Sequence, residues 1–216
     1  RALMARPRAP GYSVQRDRIL ALAVDAFART GYPGASMAML AQACGTSKAG
    51  LYHYFPSKQA LLFEALDRYT LRLRELIGQV QAQRLAARAE LVAAVQALMA
   101  EYRHSHAYHA ALLNDLRFLA PAQQAQIRAQ QKAVVEAIAG MLDRAAPGCI
   151  AADERSVVTM ALLGMINFTF AWLRPDGPIS HSHFADLAAG LWLDGITGRS
   201  VPTGDPHDEQ TVRLQG

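Results

Sequence analysis

Residues Thr46–Lys58 read TSKAGLYHYFPSK, and the fold turns on why four ring side chains, Tyr52, His53, Tyr54 and Phe55, follow small Ala49-Gly50 and precede Pro-Ser-Lys. The pattern predicts a short helix over Lys48–Phe55, capped by Ser47 and stopped by Pro56. Leu51 and Phe55 lie four apart, on the side shared with Leu40 and Cys44 of a preceding short helix, Met37–Cys44, which Ser36 caps and Gly45 ends. Those four are expected in a core. Thr46, Ala49, Gly50 and His53 fall on the opposite face.

Two short helices joined through Gly45-Thr46 are the sequence form of a helix-turn-helix, in which the second helix enters the DNA major groove. Small residues at 49 and 50 admit close approach to base edges, and His53 reaches a base or phosphate one turn on. Lys48 and Tyr52 flank one side and Tyr54 the other, where they are expected to meet phosphates. Ser57 starts a new helix whose free N–H groups, with Lys58, form a further expected phosphate site.

Charge agrees with this placement. Residues 1–60 hold eight Lys/Arg against Asp17 and Asp25, a net of +6, while the whole chain of 216 residues carries +4, so the remainder is slightly acidic. A basic N-terminal part on an acidic body points to a polyanion partner for that part alone.

Elsewhere apolar residues recur at spacings of three and four, and no alternating Val/Ile/Thr run reads as a strand. The predicted fold class is all-α with about nine helices: 13–30, 37–44, 48–55, 57–83, 88–104, 107–117, 121–145, 153–174 and 181–197. The expected organisation is a disordered basic arm (1–12), a three-helix DNA-binding domain (13–56), a helical ligand-binding and dimerisation domain (57–198) and a disordered tail (199–216).

The stretch RDRILALAVDAFARTGYPGASMAMLAQACGTSKAGLYHYFPSKQALL (residues 16–62) resembles the DNA-binding domain of the TetR family of bacterial transcriptional regulators. The match includes a first helix ending in F-A-R-T-G-Y, a Ser-Met start of the second, A-x-x-C-G-x-S-K-A, and the L-Y-x-Y-F-x-S-K end. Ser36 and Met37 thereby join Thr46, Ser47, Lys48, Ala49, Gly50, Tyr52, His53, Tyr54 and Lys58 as candidate DNA-contact residues. Family members often carry His where Tyr54 stands and a larger residue where Gly50 stands, which leaves base preference open. The resemblance implies a homodimer on a pseudo-palindromic double-stranded operator, an effector pocket in the body, and the helix from Ser57 as the lever between them. Repression relieved by ligand is the implied mechanism.

In the body, VVTMALLGMINFTFAWLR (157–174) is apolar nearly all round, and FADLAAGLWLDGI (184–196) mixes small residues with Leu and Trp. Such helices need cover on both sides, so Met160, Gly164, Leu187, Leu191, Trp192 and Gly195 are candidates for a dimer interface. Candidates for the pocket are Tyr69, Met99, Tyr102, Phe118, Met165, Phe168 and Trp172, with Asn167, whose amide needs a partner inside an apolar run. The segment MALLGMINFTFAWLRPDGPIS (160–180) resembles a TetR subgroup controlling acyl-CoA and aromatic or steroid catabolism, which implies a CoA thioester as effector. Arg72, Arg74, Arg84, Arg88, Arg103 and Arg117 are candidates for its phosphates by charge.

Other classes find less support. His104, His106 and His109 raise a metal-responsive alternative, but residues two apart point to different sides of a helix; no metal and no cofactor are expected. No GxSxG, phosphate loop or paired acids mark a catalytic site, so the protein is not expected to be an enzyme. An architectural DNA-binding protein would not need so large an apolar body. No apolar run reaches membrane-spanning length and the start lacks a secretory core, so a soluble cytoplasmic protein with no membrane partner is expected.

Overall fold

The computed structural model describes residues 11–174 and 176–198. Those residues form nine α-helices with no strand: α1 (Tyr12–Thr30), α2 (Met37–Ala43), α3 (Lys48–Tyr54), α4 (Lys58–Ala82), α5 (Ala87–His104), α6 (His106–Asp115), α7 (Pro121–Ala145), α8 (Arg155–Asn167) and α9 (His181–Thr197). The expected arms lie outside the described residues except at Gly11 and Tyr12. Tyr12 already belongs to α1, which starts one residue earlier than the pattern predicts, after Gly11 at a left-handed φ of 91°.

The short helices begin where serines satisfy their free N–H groups. Met39 N–H donates to Ser36 Oγ (3.2 Å), Gly50 N–H to Ser47 Oγ (2.9 Å) and Ala60 N–H to Ser57 Oγ (3.0 Å). Between α2 and α3 the chain turns at Gly45, whose φ of 64° suits a residue without a Cβ. There Gly45 N–H donates to Gln42 O and Thr46 N–H to Ala41 O, a Schellman closure that sets the angle between the helices. Leu40, Cys44, Leu51 and Phe55 are buried against Ile19, Ala23 and Phe27 of α1, as the helical spacing requires.

The body is built around α5, which packs on α4, α7 and α9, while α8 bridges α7 and α9. The N-terminal module docks on this body along two lines, α1 against α4 and α1 against α6. Polar clasps reinforce the first. Arg16 pairs with Glu64, and Arg68 reaches both Glu64 (2.6 Å) and Asp17.

One helix end departs from the pattern. The apolar run 157–174 suggests one helix, yet α8 stops at Asn167 and a 3₁₀ turn, Phe168–Ala171, follows. The cause lies far along the chain. The Asn167 carbonyl, which a continuing helix would use, is taken by His109 Nε2 at 3.0 Å, and the Phe170 carbonyl by His106 Nε2 at 3.2 Å.

Candidate nucleic-acid interface and ligand cavity

On α3, Lys48, Ala49, Tyr52 and His53 are exposed, and Gly50 and Thr46 partly so. The face opposite the buried Leu51 is therefore open. Gly50 has a local steric reason: a Cβ there would come within 2.5 Å of Thr46 Oγ1 and 3.2 Å of Ser47 Oγ. A side chain at 50 would displace the Thr46 hydroxyl from its place on this face.

The remaining candidates divide by what their polar atoms already do. Tyr52 is 45% exposed, and its hydroxyl has no partner among the described residues. Tyr54 is half-buried beneath Tyr12, the two rings stacked with centroids 4.8 Å apart, and His53 meets Tyr12 edge-on at 5.9 Å. Ser36 and Ser47 use their hydroxyls as helix caps, so a phosphate at those helix starts would meet backbone N–H groups. Met37 packs partly against the core.

Lys58, expected at a phosphate, is engaged within the chain: its Nζ donates to the Tyr32 and Ala35 carbonyls, each at 2.8 Å, and lies 4.2 Å from the Tyr32 ring centroid. The α1–α2 loop ends in open carbonyls, and the start of α4 brings the nearest cation. Asp115, at the end of α6, belongs to the same knot. Burial raises its pKa, while the Tyr32 backbone N–H, Arg117 and Lys58 oppose that rise. Phe118 stacks on Tyr32 at 5.2 Å, and Gln59 Nε2 donates to the Phe118 carbonyl.

A cavity of about 210 Å³ lies in the body, walled by five helices: Thr70 and Leu73 from α4, Tyr102 from α5, His109, Leu112 and Leu113 from α6, Gln131, Val134 and Val135 from α7, and Met160, Leu163 and Asn167 from α8. No carboxylate, lysine or arginine lines it. Its polar wall is a chain of hydrogen bonds. Tyr102 OH donates to Asn167 Oδ1 at 2.7 Å, and the Tyr102 ring stacks on His109 with centroids 3.9 Å apart. His109 Nε2 faces the Asn167 carbonyl, so it carries the ring proton, and Nδ1 accepts from Tyr69 OH at 3.2 Å. Burial raises the pKa of both tyrosines, keeping them hydroxyl donors.

Burial also holds His109 neutral, its pKa lowered to about 4 despite the Asn167 hydrogen bond. The unfolded chain, at the ordinary 6.5, therefore takes up this proton first as pH falls. Its contribution to stability is full above pH 6.5 and is lost as pH falls toward about 4. Urea midpoints should decline across that window, and a His109→Gln variant should decline less. Equal declines would show that His109 is not the group titrating.

Of the expected pocket residues, Tyr102 and Asn167 line the cavity, and Tyr69 stands one bond behind it. Met99 is buried behind Thr169, which donates to its sulfur at 3.8 Å. Phe118 is in the knot with Tyr32. Phe168 and Trp172 are exposed at 61% and 52%, Trp172 edge-on to Phe184, and Met165 packs on the outer core. The 3₁₀ turn after Asn167 throws the last aromatics outward. Aromatic content alone did not point to His109, Thr70 or Gln131; a histidine followed by the apolar run AALL was the available signal.

Nor do the three histidines converge. His104 Nδ1 faces the Ala100 carbonyl on its own helix, and His106 and His109 bond the backbone around α8. Among the described residues no group of three His, Cys, Asp or Glu is placed to hold a metal. Of the six arginines considered for CoA phosphates none lines the cavity, and Arg72 and Arg88 pair with Glu101 and Asp194. No helix among the described residues is long and apolar enough to cross a membrane.

Comparison with known proteins decides the family. Residues 19–65 match the family model described as bacterial regulatory proteins, tetR family, and residues 84–196 match that described as tetracyclin repressor-like, C-terminal domain. The chain belongs to the TetR family of bacterial transcriptional regulators. A TetR-family transcriptional regulator from Bordetella parapertussis is similar at 32% identity and TM-score 0.80, over 83% of this chain and 94% of that one. The structure of AibR in complex with isovaleryl coenzyme A and operator DNA is similar at 27% identity and TM-score 0.73, over 82% and 97%. The transcriptional activator FasR of Mycolicibacterium smegmatis is 28% identical over 76% of this chain and 75% of its own. These relatives are DNA-binding regulators and not enzymes, and so is this TetR-family chain.

Proposed function

We propose that the protein is a homodimeric, cytoplasmic repressor that leaves its pseudo-palindromic operator when the apolar acyl end of a small molecule, a CoA thioester, enters the α4–α8 cavity. The observation that carries the reading is the position of α6. Its middle supplies His109, Leu112 and Leu113 to the cavity, and its last residue, Asp115, with Phe118 of the turn that follows, enters the knot around Tyr32 and Lys58. A ligand that pushes on α6 thus pushes on the loop that carries the helix-turn-helix. α4 is a second lever, and the Arg16–Glu64–Arg68–Asp17 clasp makes α1 follow it.

Ligand shifts the two-state balance only by its preference for the state that cannot span both half-sites, about 5.5 kcal/mol for a complete switch. The thioester reading draws support from the AibR structure, which is in complex with isovaleryl coenzyme A, and the absence of charge on the cavity wall suits the acyl end of such a ligand. The activator FasR keeps the opposite sign of regulation in play.

The homodimer reading rests on two apolar stripes. Val157, Met160, Gly164 and Phe168 are exposed along α8, and Leu187, Leu191 and Gly195 along α9, on helices that pack against each other. Trp192 is half-buried beside Leu191. Facing copies of these stripes would give the two-fold symmetry that a palindromic operator mirrors.

The test is fluorescence anisotropy on labelled DNA from upstream of the protein's own gene, titrated with acyl- and aryl-CoA thioesters. Release by one thioester class is expected; tight binding that none releases would discard the thioester, and no specific binding would discard self-regulation. On the same DNA, Tyr52→Phe should weaken binding about threefold for every sequence, whereas His53→Ala should reorder sequence preference. A Tyr52→Phe variant that reorders preference would reverse this assignment of faces.

A further inference from the structure

The cavity's size and donors define its ligand more narrowly than an apolar small molecule. An apolar cavity of about 150 Å³ accommodates a benzene ring, so 210 Å³ takes a group of about eight non-hydrogen atoms. A short branched acyl chain or a single ring fills that space, while only part of a long fatty acyl chain or a steroid nucleus would lie within it. The wall offers no positive charge, and an ionised carboxylate buried there would lack a counter-ion.

One polar group on the wall is both oriented and unspent. Tyr102 OH donates to Asn167 Oδ1, which fixes the plane of the amide, and the Asn167 backbone carbonyl is occupied by His109. The Asn167 Nδ2 hydrogens have no acceptor among the described residues. The other cavity polar groups are committed or loose. Thr70 donates to the Leu66 carbonyl at 2.8 Å and to Gln130, and His109 has both nitrogens engaged. Gln131 has a free amide, but on a longer side chain that no hydrogen bond orients.

We propose that the cavity takes the short, uncharged acyl end of an ester or thioester, whose carbonyl oxygen accepts a hydrogen bond from Asn167 Nδ2. This rests on the reading of the cavity as the effector site. Asn167 then acts as the specificity group: it admits the thioester, has no charge for the free acid, and has nothing to give a thioether. Because it also ends α8 and anchors His109 of α6, its engagement is felt at the element that leads to the DNA-binding module.

The test uses N-acetylcysteamine thioesters, which carry the acyl group and carbonyl without a nucleotide. Binding of the full-length protein to the isovaleryl thioester, the decanoyl thioester, isovalerate and the isopentyl thioether is measured by calorimetry at neutral pH, for wild type and Asn167→Asp. The isovaleryl thioester is expected to bind about tenfold or more tighter than the other three in wild type. Asn167→Asp keeps the acceptor for Tyr102 but removes the donor, and should erase the advantage of thioester over thioether. Equal binding of acid or decanoyl thioester, an unchanged thioester-to-thioether ratio in the variant, or no binding of any probe would overturn the proposal. The wild-type ligand pairs stand even if the variant misfolds. Operator anisotropy on the same samples keeps the two readings apart: loss of ligand selectivity with intact DNA binding sinks only the carbonyl assignment, while ligand binding that leaves operator affinity unchanged sinks the reading of the cavity as the effector site.

Discussion

A Lys58→Met variant is expected to lose about 3 kcal/mol of stability, since two hydrogen bonds from a charged donor contribute roughly 1.5 kcal/mol each at the low end of their range. Methionine keeps most of the aliphatic reach while removing the ammonium. The Tyr32 and Ala35 carbonyls then lose their donor, Tyr32 loses its cation, and Asp115 loses one of the groups that favour its ionised form. The loop between α1 and α2 is held to α4 largely by this group, so the loss falls on the joint between DNA-binding module and body. Chemical denaturation followed by circular dichroism measures it. A phosphate-binding lysine gives a different result: stability unchanged, DNA affinity lowered for every sequence, and a salt dependence shallower by about one counterion. That second pattern would show the ammonium leaving the knot for the DNA.

The helix-turn-helix was legible in the sequence because everything that defines it is local. Ser36, Ser47 and Ser57 each cap the helix that begins one residue later, Gly45 supplies the left-handed turn, and the burial of Leu51 and Phe55 follows from counting four residues. Lys58 is the complementary case. A lysine at a helix start is a phosphate ligand in a local view, and only the return of the α1–α2 loop brings two carbonyls to it from 23 and 26 residues away.

The cavity was the least legible part. Asn167 stood out as a polar group within an apolar helix and Tyr102 as one of several body aromatics, but Phe168 and Trp172 were assigned inward on the premise that α8 continues. The helix ends because an imidazole 58 residues earlier takes the Asn167 carbonyl, and no window of sequence contains both partners. His109 was hidden for the same reason. Beside His104 and His106 it reads as part of a surface cluster, and only the packing of α6 between α4 and α5 turns it inward.

A Leu191→Arg variant should be monomeric and should bind operator about a hundred- to ten-thousand-fold more weakly, which is the advantage a second linked binding event confers. Leu191 is 70% exposed on the single chain and its neighbours on the outer face of α9, Leu187 and Gly195, are also exposed. An arginine there leaves the chain's own core untouched, so its denaturation curve at low protein concentration should be unchanged. In a dimer built on α8 and α9 the same arginine would be desolvated in each copy, opposite apolar groups, with the nearby Asp194 already paired to Arg88. One recognition helix would still enter the groove, but it would do so without a partner held a helical turn away. Light scattering on the eluting protein reads the mass, and anisotropy reads the affinity on the same sample. A variant that stays dimeric with full operator affinity would move the interface off this face and leave the exposed stripes of α8 and α9 to another partner.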